Sequence, residues 1–356
     1  MSTLKSKVSA EAPVKGSLFF TEALETFLSR LPARSRHIVE ARFGVGSAKP
    51  QTLEEIGQVY KITRERVRQV IGSALGFLSG EREHPIVVGV SEKIRSTLVN
   101  KSGIMRTEEF LDTLSQDSTK ERGALLAFIE CLSVIEEDKA GIEREKTYHL
   151  KDFPFNKWEK VKEGAKSILA SAKEALDGKD LYSRFKQKNS EQGVTEKEFF
   201  DYLSVSREVK QNVFGKWGLS GWSDIKPRGT RERAHLVLKT TKKPLHFREI
   251  ATLIDSYGLH EKKQKSHPQT VHNELIKDKR FVLVGRGIYA LSDWGYKKGT
   301  VKEVLDEILS LSHKPLSREE VLTEVLKVRQ VKKSTVIINL NTFFLRVGKN
   351  AYTKKK

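Results

Sequence analysis

The sequence predicts a mainly α protein with small β-hairpin wings: an N-terminal helix-turn-helix followed by serial winged-helix units. Three observations carry this. Two short amphipathic segments within 52–78 are separated by a tight break at Lys61–Ile62. Proline and glycine punctuation recurs from residue 230 onward, and its pieces repeat between 243 and 353. The chain is strongly basic, +19 over 356 residues, with 31% charged and 38% hydrophobic residues. That balance suits small cores that carry nucleic-acid-binding faces.

Other classes fit poorly. No apolar run approaches the roughly 18–20 residues of a spanning helix. The opening stretch, MSTLKSKVSAEAPVKGS, lacks the apolar core of a secretory signal, so residues 1–17 are expected to be a disordered tail. The one cysteine, Cys131, cannot close an internal disulfide, and no cysteine/histidine cluster suggests zinc. The expectation is a cytoplasmic protein without metal or cofactor. The expected partner is a polyphosphate, DNA or RNA, because lysine and arginine displace the counterions condensed on it; the helix-turn-helix narrows this to double-stranded DNA, and no membrane or small-molecule substrate is expected. The charge is uneven: no acidic residue follows Glu324, whereas nine lysines and arginines do.

The first domain is read as 18–85. Leu18, Leu24, Phe27, Leu28 and Leu31 form one helical face. Pro32 breaks that helix and starts another, with Ile38, Val39 and Phe43 inward and Gly44 and Gly46 at its end. Thr52 and Glu55 make a capping box for LEEIGQVY. Thr63 caps the next helix with half a box, since Arg66 stands where an acid or amide belongs. In that helix Val67, Val70, Ile71, Ala74 and Leu75 supply the packed stripe. Arg64, Glu65, Arg68 and Gln69 lie off it, near the end that points into a major groove. Arginine can hold a guanine edge, glutamine an adenine, and glutamate can accept from cytosine. Thr63 and Arg66 are better placed for phosphate.

The segments LPARSRHIVEARFGVG and TLEEIGQVYKITRERVRQVIGSAL closely resemble region 4 of the sigma-70 family, over about residues 18–80. The resemblance implies a second helix that reads the −35 promoter element, with Arg64, Glu65, Arg68 and Gln69 as base contacts. It also implies a grip on the flap of the RNA polymerase β subunit. Two departures limit it. Where sigma factors continue this helix with basic residues, Gly72, Ser73, Gly76, Phe77 and Ser79 stand here. Nothing upstream resembles the promoter-melting region 2, so a complete housekeeping-type sigma factor is not expected.

From 230 to 296 a winged helix of three helices and a two-stranded hairpin is expected. KPLHFREIA and TVHNELIKDKRFVLVGRGIYAL resemble the HARE helix-turn-helix family, which includes the N-terminal domain of the RNA polymerase delta subunit, over about 231–294. Val271, Leu275 and Ile276 should pack inward. Gln269, Thr270, His272, Asn273 and Lys277 should face out, with Arg286 at the wing tip, as secondary DNA-contact candidates. The spacing of His246, His260, His267 and His272 matches no standard metal site. The pattern repeats over 300–353: KPLSREEVLTEVL mirrors KPLHFREIATLI, and VGKNAYT mirrors VGRGIYA. Lys332, Lys333, Arg346 and Lys349 there are expected to grip phosphate.

Weaker echoes place degenerate winged-helix-like units at 90–153 and 158–227, with Phe214, Trp217 and Trp222 as core or hairpin packing. Lys226–Gly229 reads as a linker. Asp201, Glu208 and Lys210 have the letters of a nuclease site but read as helical, without a strand setting, so no enzyme is expected. The expected function is a sequence-specific DNA-binding transcription protein, a partial sigma-like factor or regulator acting at promoters. The alternative is an architectural nucleoid protein without strong sequence preference.

Overall fold

The computed structural model describes residues 18–46, 49–189, 193–260, 264–312, 314–348 and 350–355. The tail expected at 1–17 and the phosphate candidate Lys349 lie outside the described residues. The chain divides into two compact units. One comprises the residues up to Ile168 with Tyr182–Val209; the other comprises Leu169–Leu181 with the residues from Lys210 on.

Four helices open the first unit: α1 (Phe19–Leu28), α2 (Ala33–Phe43), α3 (Leu53–Tyr60) and α4 (Arg64–Gly80). Leu18, expected on the inward face, precedes α1 in a non-helical conformation and is exposed. Phe20 and Ala23 fill the stripe instead. Gly44 ends α2 in the left-handed region at φ +73°, where a side chain would also strike Pro50.

A winged helix follows: α5 (Pro85–Val99), β1 (Ile104–Arg106), α6 (Thr107–Ser115), α7 (Thr119–Leu132), β2 (Glu136–Asp138) and β3 (Thr147–His149). The order recurs in α8 (Phe155–Ala172), β4 (Leu176–Asp177), α9 (Gly178–Lys188), α10 (Glu196–Ser204), β5 (Val209–Gln211) and β6 (Lys216–Leu219). It recurs again in α11 (Thr230–Thr241), β7 (Leu245–His246), α12 (Phe247–Ser256), α13 (Pro268–Lys277), β8 (Phe281–Gly285) and β9 (Ile288–Leu291). The last copy is α14 (Val301–Leu311), β10 (Leu316–Ser317), α15 (Arg318–Val328), α16 (Lys333–Phe343), β11 (Leu345–Val347) and β12 (Ala351–Thr353).

The wings differ from expectation in one respect. Each is a three-stranded antiparallel sheet, in the orders β1-β3-β2, β4-β6-β5, β7-β9-β8 and β10-β12-β11. The added strand is two or three residues between the first and second helices. Leu245–His246, for example, pairs with Tyr289 and Ile288. So short a strand leaves no periodic trace in sequence.

In the first unit, the opening four helices and the first winged helix share one hydrophobic core, which joins Phe20, Phe27, Ile38, Ile56 and Val67 to Val90, Ile94, Phe110, Ala124 and Phe128. The wedge is α7, which packs against α1, α2, α4 and α6. Its Gly123 sits so close to α2 that a Cβ there would stand 2.0 Å from the Phe43 carbonyl oxygen. Its Glu121 is buried, and its carboxylate accepts the backbone N–H of Phe20 at 3.0 Å and of Thr21 at 2.8 Å. These two donors belong to the start of α1, whose N-cap residue Leu18 offers no side-chain acceptor.

In α10 the polar side chains serve packing too. Asp201 accepts from Ser102 Oγ at 2.7 Å and from Lys197 at 3.1 Å, and Lys197 also donates to the Asn100 carbonyl. In the second unit, the third and fourth winged helices each hold a separate core, centred on Val237, Ile250 and Val271 and on Leu305, Val321 and Val336.

Candidate nucleic-acid interface

The helix-turn-helix is built by local chemistry. Thr52 accepts from Glu55 N at 3.2 Å, and the Glu55 carboxylate accepts from Thr52 N at 2.7 Å, closing the capping box. Those bonds hold the Glu55 carboxyl below its ordinary pKa. Lys61 then makes the turn in a left-handed conformation, φ 53°. Gly57 lets the turn close tightly, since a Cβ there would lie 2.8 Å from the Ile62 carbonyl oxygen. Thr63 accepts from Arg66 N at 3.2 Å, the half box. Arg34 braces the turn from outside, donating to the Tyr60 carbonyl at 3.0 Å. Nothing near Arg34 in the chain signals that contact.

Along α4, Val67, Ile71, Ala74, Leu75 and Leu78 are buried and Val70 is half-buried. Thr63, Arg64, Glu65, Arg66, Arg68 and Gln69 are all exposed, gathered at the helix start and its first two turns. Two of the base-reading candidates hold each other: the Arg68 guanidinium donates to Glu65 through two bonds, at 2.9 and 2.6 Å. This fork lowers the Glu65 pKa and raises that of Arg68. Gln69 accepts from Arg66 at 3.1 Å. Among the described residues, Arg64 makes no ion pair. The surface is therefore a prepared set of donors and acceptors, partly satisfied by intrahelical pairs that water-exposed side chains exchange at little cost.

The second candidate surface lies on α13. Gln269, Thr270, Asn273 and Lys277 are exposed, and Gln269 leans toward Asn273 at 3.4 Å. Lys277 stands 3.5 Å from Glu274, which also takes Arg231 at 2.5 Å. His272 is half-buried, stacked on Phe247 at 4.4 Å and edge-on to Tyr289 at 5.8 Å. Ile276 is a correction: expected inward, it is 63% exposed. Val271 and Leu275, one turn apart, already fill the core-facing stripe, and the next position turns about 100° away from it. Arg286 is exposed at the hairpin tip, beside Gly287 at φ +71°.

In the last winged helix, Lys332 and Lys333 are exposed at the start of α16, and Arg346 is exposed in the middle of β11. The two lysines and Arg346 lie on different elements.

The four histidines do separate work. His260 contacts Asp255 at 3.1 Å and Ser266 at 2.9 Å, and His246 accepts from Arg248 N at 3.3 Å. No group of three or more metal-binding side chains occurs among the described residues. Cys131 is buried, and burial pushes its thiol pKa up to about 12, which leaves it unreactive. The nuclease letters need a correction of setting. Only Asp201 is helical; Glu208 precedes β5 and Lys210 lies within it. The Glu208 carboxylate accepts from Lys166 at 2.7 Å and stands 3.4 Å from the buried Lys162. No described helix is long and apolar enough to cross a membrane.

Comparison with known proteins agrees with this geometry. Residues 27–78 match the model of sigma-70 region 4. Residues 229–294 match that of the HARE helix-turn-helix domain, a family described by its ASXL and restriction endonuclease members. The RNA polymerase sigma factor SigA1 of Synechococcus elongatus is 46% identical over 66 residues, 18% of this chain and 16% of that protein. SigA of Microcystis aeruginosa is 44% identical over 66 residues, again 18% and 16%. SigA of a Bacillus species is 43% identical over 54 residues, 15% of this chain and 14% of its own length. The chain thus spans about one-sixth of these relatives. It joins a sigma-70 region 4 domain to a HARE-type domain, and both place it among DNA-binding, transcription-related proteins.

Proposed function

We propose that this protein binds promoter DNA sequence-specifically, as a partial sigma-like factor or regulator of bacterial transcription, with α4 as its base-reading helix. The observation that carries the reading is the segregation of α4: its apolar stripe is buried, while Arg64, Glu65, Arg68 and Gln69 share one exposed end. In this reading Thr63 and Arg66 contact phosphate. On insertion into the major groove, Arg68 and Glu65 exchange their mutual bonds for base edges. Gln269, Thr270, Asn273, Lys277 and Arg286 extend the footprint, while His272 orients α13 through its stacked ring. Lys332 and Lys333 add sequence-independent grip. The relatives are named as RNA polymerase sigma factors, which supports core polymerase as a partner through its β flap. A nucleoid-associated, cytoplasmic location follows from this role, and the reading requires no catalytic step.

Selection from random duplexes tests it. An enriched motif is expected, and Arg64→Ala should weaken binding to that motif by about 1–3 kcal/mol and relax base choice at one position. Equal affinity of Arg64→Ala and parent for the selected site would remove α4 from the base-reading role. If no motif is enriched, the architectural reading, which the net charge of +19 favours, replaces this one.

A further inference from the structure

Arg329, which follows α15, is 6% exposed, and among the described residues it makes no ion pair. A buried guanidinium without a counter-charge is costly, and burial pulls its pKa below the usual arginine range. Backbone oxygens take the place of a carboxylate. Arg329 Nη1 donates to the Leu283 carbonyl at 3.0 Å, to the Lys297 carbonyl at 3.3 Å and to the Gly299 carbonyl. Its Nε is buried without a partner. The acceptors belong to β8 of the third winged helix and to the segment that leads into α14, so one side chain of the fourth winged helix grips both.

The next residue completes the clasp. Gln330 donates its N–H to the Val284 carbonyl at 3.1 Å. A Cβ on Gly285 would lie 2.6 Å from the Gln330 carbonyl oxygen, a closeness that glycine admits. In a regular strand successive carbonyls point to opposite edges. Those of Leu283 and Val284 both accept from 329–330, which the register shift between Leu283 and Gly285 permits. Beside the clasp, Val282, Val284 and Ala290 pack with Ile288, Trp294 and Tyr296. The junction of the two winged helices is therefore a fixed one.

This junction gathers charge from three segments. Arg286 follows Gly285, Lys298 lies between the two residues of the lead-in segment whose carbonyls Arg329 takes, and Lys332 and Lys333 follow Gln330 at the start of α16. All four are exposed, and among the described residues none makes an ion pair. Glu303, an acid near the clasp, is engaged in the capping box with Thr300. The 285–330 contact and chain geometry hold the Cα atoms of Arg286 and Lys332 within about 18 Å of each other. A cluster of that span reaches both backbone walls of a groove about 12 Å wide.

We propose that the third and fourth winged helices grip the backbone of one stretch of duplex DNA as a single surface, assembled from Arg286, Lys298, Lys332 and Lys333 across their junction, with buried Arg329 as the positioning residue. The proposal rests on the DNA-binding reading and adds to it Lys298 as a phosphate contact and Arg329 as the residue that fixes the spacing of the others. Arg329 itself touches no DNA. It keeps the start of α16 beside the third wing, so the second set of contacts follows the first without a further search.

Two measurements on the full chain test it. Spin labels on introduced cysteines (Lys279→Cys with Lys327→Cys) report the junction without DNA; Cys131, buried and with its thiol pKa raised, stays unlabelled. One narrow distance is expected in the parent, and a broad distribution in Arg329→Met. Binding to mixed-sequence duplex, followed against salt, reports the surface. Lys298→Ala, an exposed change that leaves the fold alone, should weaken binding about threefold or more and lower the salt slope by about 0.9. Arg329→Met should weaken it about tenfold, and in that background Lys298→Ala should cost less than in the parent. A purely structural role for Arg329 would leave the cost of Lys298→Ala the same in both backgrounds. That result would overturn the proposal, as would a broad parental distance or a parental salt slope in Lys298→Ala. A parent that binds no duplex would sink the DNA reading along with it, whereas a parent that binds with Lys298→Ala unchanged sinks this proposal alone. None of these outcomes depends on whether α4 reads sequence.

Discussion

Helices α7 and α13 hold the same place in the same winged-helix order, the third helix before the hairpin, but only α13 faces water. The difference lies in the breadth of the apolar surface. In α7, Gly123, Ala124, Leu125, Ala127, Phe128, Cys131 and Leu132 are all buried, so most of the circumference is enclosed. In α13 only Val271 and Leu275 are. A helix that is apolar nearly all round is a core element; one with a narrow stripe leaves a face free for a ligand. The winged-helix topology does not by itself make a DNA reader.

The contrast can be broken most forcefully at Gly123. Gly123→Leu places a side chain against the Phe43 carbonyl and should destabilise the first unit by about 3 kcal/mol, read as a lower urea midpoint. The midpoint of the second unit should stay put. A parental midpoint in the first would mean that α7 is not seated on α2. Glu121→Ala comes next. It strips the acceptor from two backbone donors at the start of α1 and should cost about 1–3 kcal/mol, with Glu121→Gln recovering part. On the DNA side, Gln269→Ala combined with Arg286→Ala should reduce affinity by roughly 1–2 kcal/mol without moving either urea transition. Parental affinity in that variant would confine DNA reading to α4. Smallest in specific binding energy, Lys332→Ala with Lys333→Ala should weaken all duplexes alike. The slope of log affinity against log salt should fall by about 2.

The helix-turn-helix was legible in the sequence because short-range chemistry builds it: Thr52 reaches Glu55, Thr63 reaches Arg66, and the turn closes between Gly57 and Ile62. The repetition of the last two winged helices was legible for a similar reason, since their strand and helix starts recur in KPL and VG motifs. Beyond the short third strands of the wings and the Arg34 brace, two more features were not. Exposure at Ile276 hinges on a single step of helical rotation, finer than an apolar pattern conveys. The burial of α7 depends on partners up to about a hundred positions away, among them Phe20 for Glu121. One signal was available: a glycine inside a helix costs about 1 kcal/mol relative to alanine, so Gly123 in TKERGALLAF marks a close approach of another backbone.

The long reach of Glu121 has a consequence for how the chain is made. Helix α1 leaves the ribosome before α7, and the carboxylate that satisfies its N-terminus lies 101 residues downstream. At about 5–20 residues per second, that partner arrives roughly 5–20 s later. Until α7 emerges, the nascent α1–α4 segment presents the bare apolar flank that later seals against it, a natural substrate for a chaperone. Amide protection in α1 should accordingly appear together with that of α7, making α1–α7 one cooperative step in synthesis and not two.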